Sequence, residues 1–262
     1  MTGAPRRGRW RRLRRGIACR LALVSPHALA LLPCREPIGS LHYPARRSGV
    51  DRLIVFLPGI GDLGEDFAAR GFIGAAAKSD LDADAIAVDA HFGYYARRSV
   101  IDRLAHDIVL PARRRGYRDI WLIGISMGGA GALAYAAHHP AHVDRVLLLA
   151  PYLGDAKLVR EMTDAAQPPN AKAARIDDDP MRRLWHWMET SAARDVFAKL
   201  YLGYGTRDRF AKANALLASR LPPKHVIAIT GGHDWRTWTR LWDAFIAEWT
   251  DAERRVSALQ VE

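Results

Sequence analysis

Gly124-Ile125-Ser126-Met127-Gly128-Gly129 is the stretch from which the rest of the chain is read. The apolar run Ile120-Trp121-Leu122-Ile123 precedes it and predicts a buried strand; the alanine-rich run from Ala130 to His139 follows it and predicts a helix. Gly-x-Ser-x-Gly between a strand and a helix puts the serine on a sharp turn, with its hydroxyl pushed clear of the backbone. Glycine at 124 and 128 leaves room for that turn, where a side chain would strike the adjoining strand or helix. The helix behind it aims free N–H groups at the same spot, a site suited to developing negative charge. The bare pattern also occurs as a plain glycine-rich turn. Partners decide between the two, because an unactivated serine is a poor nucleophile.

Working outward, short apolar strands alternate with amphipathic helices. Leu53-Ile54-Val55-Phe56-Leu57, Ala85-Ile86-Ala87-Val88 and Val143 to Leu149 read as buried strands, the first as one covered on both faces; sheet rhythm resumes at Lys199 to Tyr204, and Val226-Ile227-Ala228-Ile229 reads as the last strand. A further short strand is expected near Leu41 to Tyr43. Helices are expected over Asp66–Ala77 with a glycine interruption, from a Ser99 cap onward until Pro111 kinks or ends it, and over Phe210–Ser219. The last helix carries Trp238, Leu241, Trp242, Phe245, Ile246 and Trp249 on one apolar face, the pattern of core packing. The rhythm implies an α/β fold: a doubly wound, mostly parallel sheet with helices on both faces. Residues 153–195 break it, with Gln167-Pro168-Pro169-Asn170, Asp177-Asp178-Asp179 and Trp185-His186-Trp187, and read as a helical, lid-like insertion above the strand ends. No internal repeat is present, and residues 36–262 read as one domain.

The 262 residues carry a formal charge of +11. Nine arginines and no acid fall within the first 35 residues; the remainder holds 30 basic and 28 acidic residues, a balance of +2. The basicity therefore belongs to an N-terminal arm, residues 1–35, and not to the body. A positive start followed by the broken apolar segment 17–34 is the layout of an export signal, and equally of a disordered basic extension. Membrane association through this arm is one expectation. Nucleic-acid binding is not expected, because Trp10 is the arm's single aromatic residue for stacking on bases. Exported, periplasmic, membrane-associated and cytoplasmic settings stay open, as does the oligomeric state. Both cysteines, Cys19 and Cys34, lie in the arm, so the body has no cysteine for a disulfide or a metal site.

A nucleophilic serine needs a base, and the base an orienting acid. His233, in Gly231-Gly232-His233-Asp234-Trp235, follows the last strand and precedes the last helix. In a parallel sheet the loops leaving the carboxyl ends of strands gather on one edge, which is where Ser126 emerges. His138, His139 and His142 lie at the far end of the serine helix, and His186 is a rival in the insertion. Asp208, just past the penultimate strand, leaves the same edge and is the chosen acid; it would also serve as a cap for the following helix. Asp155 and Asp177 to Asp179 are rivals, while Asp234 adjoins His233 too closely to hold its ring.

The order Ser126, Asp208, His233 matches that of the α/β-hydrolases. The segments Gly124–Leu133, Gly205-Thr206-Arg207-Asp208 and Gly231–Trp235 resemble the three catalytic segments of that superfamily, with the nearest likeness to its S-formylglutathione hydrolase and feruloyl esterase branch. The likeness covers about residues 51–250. It implies that Ser126 is nucleophile, Asp208 acid and His233 base, and that two backbone N–H groups form an oxyanion hole. One is Met127. The other comes from Pro58-Gly59-Ile60-Gly61, by position Ile60 and next Gly61; proline stands where related enzymes often have histidine.

The implied activity is a carboxylesterase acting on a small-molecule ester through an acyl-enzyme. No metal or organic cofactor is implied. An acyltransferase or thioesterase would use the same triad, and a non-catalytic binding protein on this fold is the third reading. Tyr94 and Tyr95 could line the pocket or simply pack. Trp185 and Trp187 could form an apolar lid or belong to the core. A lid would favour an uncharged ester with an apolar acyl group.

Overall fold

The computed structural model describes residues 4–163 and 179–259. Seven strands form one sheet: β1 (Ser40–Tyr43), β2 (Arg52–Leu57), β3 (Asp84–Val88), β4 (Asp119–Ile125), β5 (Arg145–Leu149), β6 (Leu200–Gly205) and β7 (Val226–Ile229). Their order is β1-β3-β2-β4-β5-β6-β7, parallel throughout except for β1, which pairs antiparallel with β3 at the edge.

Alternation within each apolar run sends successive side chains to opposite faces. Leu53, Val55 and Leu57 of β2, with Ile120 and Leu122 of β4, face one core; Ile54 and Phe56, with Trp121, Ile123 and Ile125, face the other. Because both faces are covered, the strands read as unbroken apolar runs and not as alternating ones.

The helices preceding the serine are α1 (Ala4–Val24), α2 (Glu65–Ala69), α3 (Phe72–Lys78), α4 (Phe92–Ala96), α5 (Val100–Arg103) and α6 (Leu110–Arg114). Those following it are α7 (Met127–His138), α8 (Ala156–Thr163), α9 (Pro180–Met188), α10 (Ala193–Phe197), α11 (Ala211–Ala218) and α12 (Trp235–Leu259). The tryptophan face of α12 covers the second core, with all six of its apolar residues buried. Trp242 stacks on Phe72, with centroids 5.6 Å apart, and donates from Nε1 to the Phe72 carbonyl at 3.0 Å.

Two local expectations meet a definite outcome. Of a kink or an end at Pro111, the end does not occur. The ladder widens into π-helical turns over Leu104–Val109, immediately ahead of Pro111, and α6 continues from them. Ser99 precedes α5 without capping it through its side chain; its hydroxyl donates instead to the Tyr94 carbonyl at 3.4 Å. The insertion holds α8, α9 and α10, while Gln167–Asn170 and Asp177–Asp178 lie outside the described residues.

The chain runs from β2 outward to β3, then returns to place β4 on the other side of β2. The carboxyl ends of β2 and β4 therefore flank the point where the winding reverses, the usual crevice of an open α/β sheet.

Helix α1 docks on the rim of this sheet. Its inner face presents the small residues Ala18, Cys19 and Ala22, which form a buried cluster with Leu32. Arg15 pairs bidentately with Asp89 at the end of β3, its second contact being Nη2 to Oδ2 at 2.7 Å. Beside this pair, His91 caps α4 by accepting from Gly93 N–H at 3.1 Å. Burial, reinforced by the Arg15 charge, pushes the His91 ring from 6.5 down to about 4. The folded protein thus holds a neutral ring where the unfolded chain takes up a proton. Its contribution to stability is present above pH 6.5 and lost as pH falls toward 4, on the order of 3 kcal/mol in total. Asparagine would keep the cap without titrating. Urea midpoints of His91→Asn are therefore expected to fall less between pH 7 and pH 5 than those of the wild type.

Candidate active site

Ser126 terminates β4 with φ 53° and ψ −113°, a conformation non-glycine residues rarely adopt. Such strain costs about 1–3 kcal/mol and persists only where neighbours impose it. Here its N–H donates to Leu149 O at 3.0 Å, and its carbonyl accepts from Tyr152 at 2.9 Å and Ala130 at 3.1 Å. The two flanking glycines are sterically required. A Cβ on Gly124 would lie 2.3 Å from the Gly128 carbonyl oxygen, and one on Gly128 would lie 2.2 Å from that of Leu57. Both obstacles are backbone. Gly128→Ala is therefore expected to destabilise the fold by about 3 kcal/mol, the upper end of ordinary overpacking, as measured by denaturant unfolding.

The loops carrying Asp208 and His233 are stitched to each other. Thr206 N–H donates to Ile229 O at 2.8 Å and Arg207 N–H to Gly231 O at 2.9 Å. Gly205 permits this, since a Cβ there would sit 2.3 Å from the Gly231 oxygen. The result is a continuous line of hydrogen bonds: Ser126 Oγ to His233 Nε2 at 3.0 Å, and His233 Nδ1 to Asp208 Oδ2 at 2.8 Å. A carboxylate only accepts, so Nδ1 carries the proton and Nε2 presents its lone pair to the serine hydroxyl. The Asp208 side chain is fully buried and that of His233 is 11 % exposed. Phe210 and Trp238 meet the imidazole at near-perpendicular angles, with centroids 4.9 and 5.0 Å away.

Asp208 meets the histidine and does not cap α11, whose N-cap position is Phe210 without a side-chain cap bond. Oδ2 holds the histidine, and Oδ1 accepts from Phe210 N–H at 2.8 Å to fix the turn into α11. The rival acids are local caps: Asp155 accepts from Leu158, Asp179 from Met181, and Asp234 from Thr237. His139 and His142 stack on each other beyond the far end of α7, and His186 sits on α9.

The loop after β2 lies against the serine, with the position of a Gly59 Cβ 3.5 Å from Ser126 Cβ. Asp62 N–H closes a turn onto Gly59 O at 3.2 Å, and Gly61 takes φ 83°. Trp235 Nε1 donates to Asp62 Oδ1 at 3.3 Å, tying this loop to α12. Met127 is the first residue of α7, so its N–H falls outside the intrahelical ladder. Ile60 packs against the Ala18–Cys19–Leu32 cluster, so α1 braces the loop from outside. Nothing local in the sequence signals that contact, nor the Asp62–Trp235 tie.

Of the aromatic residues with two readings, most are packing. Tyr94 is buried and its hydroxyl both accepts from Arg35 N–H and donates to Arg35 O, at 2.9 and 3.0 Å. Tyr95 presses on Gly131, where a Cβ would meet its hydroxyl oxygen at 2.7 Å. Trp185 is 1 % exposed and donates to Leu153 O at 2.7 Å, while Trp187 packs edge-on to Phe197.

Solved structures share this architecture. A ferulic acid esterase superposes with a TM-score of 0.53 at 18% identity, over 74% of this chain and 82% of its own. The S-formylglutathione hydrolase of Staphylococcus aureus gives 0.52 at 15% identity, over 80% of this chain and 82% of its own. The fluorophosphonate-binding serine hydrolase F of Staphylococcus aureus gives 0.53 at 13% identity, over 83% and 95%. At such identities the likeness is one of fold, that of the α/β-hydrolases. No curated protein matches the chain. The family model for esterases matches residues 107–247, more than half of the 262 residues, and takes in β4 through most of α12. A serine raised on a strained turn at the winding reversal thus lies within the matched region, and the chain belongs to the Esterase family of serine hydrolases that cleave ester bonds.

Proposed function

We propose that Ser126, His233 and Asp208 carry out ester hydrolysis as nucleophile, general base and orienting acid. The observation that carries this reading is the unbroken line from Oγ through the imidazole to a buried carboxylate. His233 Nε2 takes the hydroxyl proton as Oγ attacks the ester carbonyl carbon. Asp208 holds the ring in the required tautomer and offsets the charge of the imidazolium. The N–H groups of Ile60 and Met127 hold the oxyanion; each such donor is worth on the order of 10²–10³ in kcat. The imidazolium then protonates the departing alkoxide, leaving an acyl-serine. Water, deprotonated by His233, attacks that acyl group and restores the free hydroxyl.

The substrate proposed is a small-molecule carboxylic ester without charge near the scissile bond. The burial of Trp185 weakens the argument for an apolar lid, so acyl-chain preference rests on a panel of chromogenic esters of graded length. A fluorophosphonate is expected to label the protein once, with the adduct mapping by peptide mass spectrometry to Ser126. An adduct on another serine, or no adduct in folded and ester-active protein, would overturn the assignment.

A further inference from the structure

Helix α1 packs in an order opposite to the one its own stability calls for. It turns its small residues Ala18, Cys19 and Ala22 inward and leaves Trp10, Leu13, Ile17, Leu21 and Val24 exposed, at 44–81 % of their surface. At 3.6 residues per turn these five fall within an arc of about 80°, a straight stripe roughly 21 Å long. Exposed Arg14 and Arg20 border it on either side, whereas Arg15 points inward to Asp89. The two other exposed large apolar side chains among the described residues, Leu31 and Leu41, line a cavity of about 400 Å³ that Arg14 also lines. All the exposed large apolar surface described in this protein is thus gathered on and beside one arginine-bordered helix.

A contiguous apolar face of this kind marks an interaction surface. Its charge selects the occupant: nine arginines and no acid in the first 35 residues oppose a cationic or neutral partner and suit an anionic one. An extended apolar stripe with cationic borders matches a bilayer, in which acyl chains receive the stripe while anionic headgroups meet the arginines. Among the described residues no helix is long and apolar enough to cross a membrane, so α1 would lie along the surface.

We propose that the outer face of α1 docks this esterase on anionic lipid bilayers. Its inner face packs on Ile60, so docking brings the loop beside Ser126 within about one helix diameter of the membrane, where esters dissolved in the bilayer become substrates. The docking claim is independent of the catalytic assignment; the substrate clause rests on it.

The test is co-sedimentation of the full chain with vesicles of equimolar phosphatidylglycerol and phosphatidylcholine, and with phosphatidylcholine alone. The wild type is expected to bind the anionic vesicles at least tenfold more tightly, and to lose at least tenfold in 0.5 M salt. The I17Q/L21Q protein changes only exposed positions. It should bind the anionic vesicles at least tenfold more weakly than the wild type, keep its turnover of a soluble short-chain ester, and lose turnover of a fluorogenic acyl ester embedded in the vesicles. Ser126→Ala should bind like the wild type, which separates failure of docking from failure of catalysis. Absence of wild-type binding, or binding unchanged by I17Q/L21Q, would overturn the proposal. So would a dimer that these substitutions dissociate without any effect on vesicles, which would make a second copy the occupant.

Discussion

Ser126→Ala is expected to lower kcat toward esters on the order of 10⁶-fold, the scale seen when the nucleophile of a serine triad is removed. KM should change little, because the methyl group leaves the surrounding hydrogen bonds in place: the Leu149, Tyr152 and Ala130 contacts all run through the Ser126 backbone. The variant should also remain folded, and a comparison with Ser126→Gly reports on the turn itself. Alanine inherits the strain of φ 53°, while glycine tolerates it. The glycine variant is therefore expected to unfold at a higher denaturant concentration than the alanine variant, by about 1 kcal/mol. Steady-state kinetics and urea titrations measure the two effects separately. Substantial ester turnover by the alanine variant would remove Ser126 from the mechanism.

Asp208→Asn is expected to cost about 10⁴-fold in kcat with less than about 1 kcal/mol of stability, a separation that follows from the two jobs of this carboxylate. One oxygen accepts from Phe210 N–H, and the other accepts from His233 Nδ1. In asparagine only one terminal atom accepts. The backbone N–H of Phe210 can only donate, so it claims the amide oxygen and leaves the amide nitrogen facing the imidazole. The ring must then accept at Nδ1 and carry its proton on Nε2, where it can no longer take the serine proton. Asp208→Ala removes both contacts and should lose stability as well as activity. An asparagine variant retaining a tenth or more of wild-type kcat would show that the acid lies elsewhere.

Sheet, cores and the serine turn were legible because each is written in local order. Period-two alternation in Leu53–Leu57 and Ile120–Ile125 sorts side chains between two cores, and spacing along Trp238–Trp249 builds the covering face of α12. Gly124, Ser126 and Gly128 announce their turn by spacing alone; the clash that excludes a Cβ at Gly124 is with nearby Gly128, whereas the one at Gly128 is with the distant Leu57 carbonyl on the neighbouring strand. His233 was accessible through topology, as parallel strands deliver their exit loops to one edge.

The remainder came from contacts between segments distant in sequence. The sequence favoured Asp208 by its place past the penultimate strand, but its contact with the imidazole depends on the stitching of the Gly205 and Gly231 loops: Asp155, Asp179 and Asp208 all accept a backbone N–H locally, and only Asp208 also meets His233. Tyr94 and Trp185 proved to be packing residues once Arg35 and Leu153 supplied partners for their polar atoms. Helix α1 shows the limit most clearly. Its apolar residues are visible in the chain, but which of them face the body depends on the shape of the rim that receives them. There the small side chains meet Ile60 and Leu32, and the large ones lie outside. Local pattern specifies which surfaces avoid water; the fit between finished surfaces specifies which of them the fold itself can cover.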